Sequence, residues 1–166
     1  MLVKCIARGY NDPVYCVAFT LQNTNCAMSK VKNAQQLWQM IQKTSSFDGL
    51  MKKVELVSAG NGSCVCKMKV GEEHTNLGGT LHGGMTATLV DTVSTVALLT
   101  SEPYKPGVSV ELSVSYLRAV PLGENITIDA KTVKTGKTLS FLAVDLLDSK
   151  DRIIAQGKHT KFVGDN

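Results

Sequence analysis

Aromatic residues and clustered positive charge are both scarce in this chain of 166 residues. It has one Trp, four Phe and four Tyr, and its 18 Lys and Arg residues are scattered among 14 Asp and Glu, giving a net charge of +4. Proteins that bind nucleic acid combine basic stripes or grooves with aromatic stacking platforms. The composition therefore argues against a nucleic-acid partner and suits a small anionic ligand better.

The chain also lacks an apolar run of the ~20 residues that a transmembrane helix needs. The run at 83–99 approaches that length, but it contains Asp91 and five hydroxyl side chains. We therefore expect a helix in the core of a globular domain and no integral membrane segment. With 43% hydrophobic and 19% charged residues, the chain is ordinary for one domain that buries a sizeable core.

The cysteines show no spacing that is typical of a metal site or a disulfide framework. There are five of them, an odd number, and no C-x-x-C pair occurs. Cys64 and Cys66 alternate with Val65 on a predicted strand, so both should point to one face. The sequence predicts a reduced, intracellular protein that uses neither a metal nor an organic cofactor.

The first thirty residues differ from the rest of the chain. They hold three of the five cysteines, place Lys4 and Arg8 before the first acidic residue, and show neither helical nor strand periodicity. A targeting segment and a plain extension of the folded domain both remain open, because transit peptides are also poor in acidic residues. We predict a leader over 1–30 and one folded domain over 31–166, in a cytoplasmic or mitochondrial protein.

Hydrophobic periodicity predicts an α+β fold. One helix is expected from a cap at Asn33 to near Ser45, and a second over 83–99. Alternating runs indicate an antiparallel sheet with one buried face. The economical arrangement is a curved antiparallel sheet of about six strands wrapped around the long apolar helix. The predicted strands are Val54–Ala59, Ser63–Val70, Gly107–Leu117, Asn125–Val133, Leu139–Leu147 and Arg152–Phe162.

Asp91 is the only charged side chain between His82 and Glu102. In a helix that is apolar or hydroxyl-bearing on almost every face, a buried unpaired carboxylate is costly and needs a compensating partner. Nearby hydroxyls are candidates to satisfy it in either a structural or a catalytic role. An aspartate can also act as a general base on water or attack a carbonyl directly. The candidate hydroxyls are Thr88, Thr92 and Thr95.

Gly83 and Gly84 open the same helix. Their N–H groups are predicted to be unpaired and, at the positive end of the helix dipole, suited to a developing oxyanion. Eight residues of helix at about 1.5 Å each separate Gly83 from Asp91 by roughly 12 Å. One carbonyl group cannot contact both in the same chain if the helix is unbroken and both groups act together. The sequence therefore predicts a site shared by two subunits across a two-fold interface.

The run from His74 to Asp91 resembles the acyl-CoA thioesterases of the hotdog superfamily, in particular the thioesterase superfamily member 2 group, also called acyl-CoA thioesterase 13. His-Gly-Gly followed by an Asp eight residues after the first Gly is more specific than His-Gly-Gly alone. The resemblance implies the hotdog fold, hydrolysis of fatty acyl-CoA to a free fatty acid and coenzyme A, and a homo-oligomer with shared sites, as a dimer or a dimer of dimers. It continues through Pro106–Val110, Gly136–Leu139 and Ala155–Lys161 and covers roughly residues 33–164.

The resemblance also implies roles for five residues. Asp91 matches the catalytic carboxylate, and the Gly83 amide matches the oxyanion donor. Asn76 and His82 match polar residues near the thioester, and Ser109 matches a serine that positions the attacking water or Asp91. Structural alternatives remain open: Asn76 as a turn former, His82 as a helix cap, Ser109 as an ordinary strand residue, and Asp91 as a carboxylate paired across the dimer.

A predicted hairpin tip places Lys134 and Lys137 around Gly136, where exposed amides and two cations suit a phosphate. It is not a P-loop, because Lys131 stands where the first glycine of that motif would be. A solvated hairpin explains this sequence equally well, and the resemblance favours contact with coenzyme A. The predicted substrate-binding residues are Ser109, Tyr116, Arg118, Lys134, Gly136, Lys137 and Thr138.

Two rival functions are weighed against hydrolysis. Hydration of an enoyl thioester uses a paired carboxylate and histidine in related proteins, and the sequence indicates no such pairing around Asp91. A non-catalytic acyl-thioester-binding module is disfavoured by the joint presence of Asn76, Asp91 and Ser109. The sequence leaves open the preferred acyl-chain length and the choice between a basic and a nucleophilic role for Asp91.

Overall fold

The structure is a computed structural model that describes residues 27–164, with side chains from Ala34 onward. Two α-helices and six strands make up this part of the chain, with two short 3₁₀ helices at Phe47–Lys53 and Glu72–His74. The α-helices and strands are α1 (Ala27–Lys43), β1 (Val54–Gly60), β2 (Ser63–Lys69), α2 (Gly83–Leu99), β3 (Val108–Tyr116), β4 (Asn125–Thr135), β5 (Leu139–Leu147) and β6 (Ile153–Phe162).

The strands form one antiparallel sheet in the order β1-β2-β4-β5-β6-β3. The predicted α+β arrangement of six antiparallel strands with a long central helix is confirmed. The β1–β2 hairpin turns at Asn61 and Gly62, whose φ angles of 51° and 78° are the left-handed values that an Asn-Gly turn supplies.

The core lies between α2 and one face of the sheet. Burial alternates along β2, β4, β5 and β6, as the alternating sequence predicted, and both Cys64 and Cys66 are buried on that face. A Cβ atom at Gly157 of β6 would lie 2.4 Å from Val90 Cγ1, which is closer than packing allows. Glycine at this position therefore lets α2 pack closely against β6. This packing distance also determines how near α2 lies to the polar residues at the C-terminal end of β6.

Helix α1 differs from its predicted start. It is already helical at Ala27, so Asn33 lies inside the helix and the prediction that Asn33 caps it is wrong. The residues from Ala27 onward favour a helical backbone, and none of those before Asn33 would end a helix. The predicted boundary at residue 31 falls within α1, and residues 1–26 lie outside the described part of the chain.

The sheet does not cover α2 on every side in the single chain, although the helix is apolar or hydroxyl-bearing on almost every face. One stripe of the helix is left partly exposed at spacings of three and four residues, the spacing of one helical face. The members of this stripe are Gly84, Ala87, Thr88, Asp91, Thr92, Thr95 and Leu99.

Strand β3 is an edge of the sheet, paired only with β6 among the described strands. Val108, Val110 and Leu112 on this edge are 69%, 60% and 39% exposed. A long, exposed, apolar edge strand invites pairing with another strand, and natural proteins usually cover such an edge. Within residues 27–164, no helix combines the length and apolar character that crossing a bilayer requires.

Candidate active site

Asp91 projects from the middle of α2 toward the start of β3 and the end of β6. Its side chain is 48% exposed in the single chain, so the carboxylate is not buried as its apolar sequence context predicted. Its Oδ1 atom lies 3.4 Å from Ser109 Oγ, 3.6 Å from His159 Nε2 and 3.9 Å from Lys161 Nζ. The sequence-predicted pair Asp91 and Ser109 is therefore brought together, along with two residues that were not predicted.

His159 is buried and bridges two serines. Its Nδ1 lies 2.8 Å from Ser94 Oγ, and its Nε2 lies 2.9 Å from Ser109 Oγ. Burial, together with the positive charge of Lys161, lowers the pKa of His159 to about 4, although Asp91 opposes the shift. A neutral imidazole can donate from Nε2 to Ser109 while Nδ1 accepts from Ser94, and Ser109 then donates to Asp91. In this tautomer the donors point toward the carboxylate. The Ser94 hydroxyl also lies 3.1 Å from the Asp91 carbonyl, and in the other tautomer it donates there while His159 Nδ1 donates to Ser94.

The prediction that no histidine pairs with Asp91 is wrong, because it considered neighbours along the chain and not across the sheet. His159 is 68 positions from Asp91 and reaches it only when β6 packs under α2. The sequence did contain a signal for it. Alternation along β6 places His159 and Lys161 on the same face as the buried Ala155 and Gly157, where polar side chains need partners.

Lys161 is the second residue that the sequence analysis missed. Its side chain is only 5% exposed, and Nζ donates to Thr95 Oγ1 at 2.7 Å. Burial lowers the pKa of Lys161, and the nearby charge of Asp91 opposes that shift. A buried ammonium therefore stands beside the candidate catalytic carboxylate.

The threonines of α2 do not satisfy the Asp91 carboxylate as predicted. Thr88 Oγ1 donates to the Gly84 carbonyl at 2.9 Å, and Thr95 Oγ1 donates to the Asp91 carbonyl at 2.7 Å. Helical threonines commonly donate to the carbonyl four residues earlier, because that oxygen is within reach. The hydroxyl nearest the carboxylate comes instead from Ser109 of β3.

The N-terminus of α2 is capped by His82. Its Nδ1 accepts the Gly84 N–H at 2.8 Å, which matches the capping alternative for His82. One of the two amides expected to be free is therefore occupied. The Gly83 N–H makes no hydrogen bond within the described part of the chain. Tyr116, from the end of β3, donates its hydroxyl to the Gly83 carbonyl at 3.2 Å and packs its ring beside this residue.

Asn76 organises the loop that leads into α2. Its Oδ1 accepts the Gly78 N–H at 2.9 Å, and its Nδ2 donates to Thr80 Oγ1 at 3.0 Å. The Asn76 backbone N–H also donates to the Thr80 carbonyl at 2.8 Å. These contacts match the turn-former alternative in the single chain, and a catalytic role for Asn76 stays a prediction.

An open cleft of about 370 Å³ lies at this end of α2. Three sequence-predicted residues, Gly83, Tyr116 and Arg118, are brought together in its lining. Apolar walls beside a guanidinium and an unpaired amide can hold a ligand that has apolar, carbonyl and anionic parts. The other lining residues are Leu81, Thr86, Leu117, Ala119, Val120, Ile154 and Ala155.

The predicted phosphate-binding hairpin lies far from this cleft in the single chain. Leu139, just after the hairpin, pairs with Phe162, which pairs with Val108 at the start of β3. Tyr116 stands at the other end of β3. The residues Lys134, Gly136, Lys137 and Thr138 therefore share the Asp91 end of the sheet, and one chain does not unite them with the cleft.

Gly83 and Asp91 are likewise separated. The helix between them is unbroken, as the distance argument assumed. Tyr116 contacts Gly83 at the end of β3, whereas Ser109 contacts Asp91 near its start. The expected separation of Gly83 from Asp91 within one chain is confirmed.

Comparisons with known proteins place these features among thioesterases. Residues 78–155 match the Thioesterase superfamily. Acyl-coenzyme A thioesterase 13 of Homo sapiens is 47% identical over 137 residues, which cover 82% of this chain and 98% of that protein. The crystal structure of zebra fish thioesterase superfamily member 2 matches with a TM-score of 0.78 at 48% identity, covering 81% of this chain and 98% of that one.

A more distant structure contains a ligand. A hypothetical thioesterase protein from Streptococcus pneumoniae TIGR4, solved with coenzyme A, matches with a TM-score of 0.62 at 27% identity, covering 68% of this chain and 90% of that one. The range that matches the Thioesterase superfamily contains Gly83, Asp91 and Ser109 and ends before His159.

Proposed function

The chain belongs to the hotdog thioesterase superfamily, in the group of acyl-coenzyme A thioesterase 13, and from this membership we propose the residues and the assembly with which it works. It is an acyl-CoA thioesterase. In the reaction, the oxygen of a water molecule bonds to the acyl carbon and the carbon–sulfur bond breaks. The thiolate of coenzyme A takes up a proton, and the acyl group leaves as a free fatty acid.

Asp91 is the general base in this proposal. The observation that carries it is the contact of a half-exposed carboxylate with Ser109 and a neutral His159 at 3.4 and 3.6 Å. An exposed carboxylate oxygen can take a proton from water, while Ser109 and His159 fix the orientation of the side chain. Ser109 also offers a hydroxyl oxygen that can hold the attacking water.

The choice between base and nucleophile has a direct test. A nucleophilic Asp91 would form an anhydride with the acyl group, and water could then attack the aspartyl carbon. One turnover in heavy-oxygen water, followed by mass spectrometry of the peptide that contains Asp91, distinguishes base catalysis from a nucleophilic route in which water attacks the aspartyl carbon. We expect the heavy oxygen in the fatty acid alone, and its presence in Asp91 would contradict the basic role.

The Gly83 N–H is the oxyanion donor. It is unpaired in the described part of the chain and lies at the first turn of α2, where the helix dipole favours negative charge. His82 and Asn76 support this amide by capping the helix and fixing the preceding loop. Tyr116 holds the Gly83 carbonyl from the other side.

We assign the working site to a homodimer formed through β3. Its exposed apolar edge is suited to pairing with its own copy, which a two-fold axis makes antiparallel. Such pairing sets the Tyr116 end of one subunit beside the Ser109 end of the other. It therefore brings Gly83 of one subunit toward Asp91 of its neighbour. A second pairing of dimers would give the tetramer that the family resemblance implies.

The same antiparallel pairing assembles the coenzyme A site. It sets the hairpin of one subunit, with Lys134, Gly136, Lys137 and Thr138, near the Arg118 cleft of the other. Three cations then line the entry, which suits the phosphates of coenzyme A. The apolar walls of the cleft suit the chain on either side of the thioester.

Mixed dimers test the shared site. Gly83→Pro removes one N–H, and Asp91→Asn removes one base, so a dimer with one of each change keeps one intact shared site of two. Purified with two different tags, this heterodimer should recover about half of the wild-type rate of thiol release from a long-chain acyl-CoA. Each homodimer alone serves as the control. A heterodimer as inactive as the homodimers would show that each site lies within one chain.

Hydration of an enoyl thioester is the rival with a specific observation in its favour. The distance of 3.6 Å between Asp91 and His159 supplies the carboxylate–histidine pair that this chemistry uses. Thioesterase activity predicts thiol release from both saturated and enoyl substrates. Loss of the enoyl absorbance without thiol release would instead support the hydratase.

We assign the protein to the cytoplasm or mitochondria, because the buried thiols Cys64 and Cys66 suit a reducing compartment. Fractionation of cells that express the full chain tests this assignment. Recovery in the secreted fraction would contradict it.

A further inference from the structure

Lys161 is a buried cation with little to stabilise it except the Asp91 site. Its side chain is 5% exposed, and Nζ is 2.7 Å from Thr95 Oγ1 and 3.9 Å from Asp91 Oδ1. A lysine is rarely buried unless it is paired. Lys158, three positions earlier on the outer face of β6, is exposed and shows the usual placement.

The neighbouring elements leave Asp91 as the partner of this charge. On β6, His159 also faces the carboxylate and is neutral near pH 7. Ser109 of β3 and Ser140 of β5 are the paired neighbours of Lys161, and neither carries charge. Among the described residues, Asp91 is the carboxylate within 4.0 Å of Lys161.

The effect of Lys161 on Asp91 should become larger when the site is covered. When a second subunit and an acyl chain displace water from Asp91, desolvation favours the protonated acid, which cannot act as a base. An ammonium held at a fixed distance favours the carboxylate and disfavours a positive charge on His159. The hydrogen bond to Thr95 holds the Lys161 ammonium beside the Asp91 carboxylate. In this position the ammonium does not block the carboxylate oxygens.

We propose that Lys161 is a positioning residue that acts through Asp91, holding it as a carboxylate and His159 as a neutral imidazole while substrate covers the site. This inference rests on the proposed basic role of Asp91. The proton of the attacking water passes to Asp91, and Lys161 exchanges no proton in the cycle.

The pH dependence of kcat/KM tests the proposal. Lys161→Met removes the charge and keeps most of the side-chain volume. The acid limb of the profile, where kcat/KM falls as the pH is lowered, should therefore move up by about one pH unit. At pH values on the acid limb, kcat/KM of the variant should be about tenfold lower than that of the wild type. On the plateau at higher pH, the two values should be equal. Lys161→Arg keeps the charge and should restore the limb. Lys158→Met is the matched control and should change nothing.

A purely structural lysine would give a different result. Its loss would reduce the rate by the same factor at every pH and leave the acid limb in place. That outcome in a folded Lys161→Met protein would overturn the proposal. Full activity of Asp91→Asn would instead overturn the proposed function, so the two failures are distinguishable.

A second measurement does not depend on the Lys161 variant folding. In protein labelled with nitrogen-15 at lysine, the pKa of the Lys161 ammonium is compared between the wild type and Asp91→Asn. Coupling between two sites is reciprocal, so removing the carboxylate should lower the pKa of Lys161. The same pKa in both proteins would show that the two charges are not coupled and would overturn the proposal.

Discussion

The two ends of the candidate site on α2 are built in different ways. At the N-terminus, Gly83 lines the cleft, and the exposed side chains of His82 and Asn76 fix the helix start and the preceding loop. At the middle of the helix, Asp91 meets buried side chains that come from β6. One end offers fixed dipoles, and the other offers groups whose charge depends on protonation.

This difference separates two tasks of thioester hydrolysis. A backbone N–H cannot titrate near neutral pH, so stabilisation of the oxyanion is the same at every working pH. A base acts only when it is ionised, so it requires neighbours that set its charge. The network of His159 and Lys161 lies where the proposed base is, and we expect the pH dependence of the proton-transfer step to originate at that end.

Removal of the proposed base, Asp91, is expected to have the largest effect. Asp91→Asn keeps the shape of the side chain and removes its basicity, so kcat should fall by about 10²–10⁴-fold with little change in KM. Asp129→Asn, at an exposed position on β4, is the control for loss of a negative charge. Thiol release under saturating acyl-CoA measures the effect. A loss below about twofold would mean that another group activates the water.

Removal of the Gly83 amide should have a somewhat smaller effect. Proline is accepted at the first position of a helix, and His82 already has the extended ψ of 134° that a following proline requires. Gly83→Pro should therefore lower kcat by about 10²–10³-fold without moving the pH profile.

Gly83→Ala is the matched control, because it keeps the N–H. Its Cβ would lie 3.4 Å from the Tyr116 ring, which is at the limit of ordinary contact. We expect it to stay within a few fold of the wild-type rate. Equal losses in the two variants would assign the effect to bulk in the cleft and not to the hydrogen bond.

The smallest expected effect concerns stability and not rate. The pKa of His159 is about 4 in the folded protein and near 6.5 when unfolded, so the unfolded chain binds more protons between these values. The free energy of unfolding should therefore fall as the pH drops from 6.5 toward 4, by roughly 1–3 kcal/mol.

Urea denaturation at a series of pH values measures this slope. His159→Gln should flatten it, whereas His82→Gln, at an exposed position, should leave it unchanged. A wild-type slope that survives in His159→Gln would place the titrating group elsewhere in the molecule.

Local patterns predicted most of the fold. The bounds of α2 and β5 match the prediction, because continuous apolar character and strict alternation are properties of neighbouring residues. The start of α1 was missed, because the capping motif at Asn33 competes with residues before it that also favour helix. The exposure of Asp91 was missed as well, because helical periodicity does not say which stripe the sheet leaves uncovered.

The sequence by itself determined the helix, its glycine start, the lone carboxylate and their separation, since all four depend on spacing along one chain. Only the tertiary structure decided which groups surround Asp91. His159 and Lys161 lie about seventy residues away and reach it through strand pairing and through the close approach of α2 that Gly157 permits. Contacts across a sheet depend on register and packing distance, which no local pattern specifies.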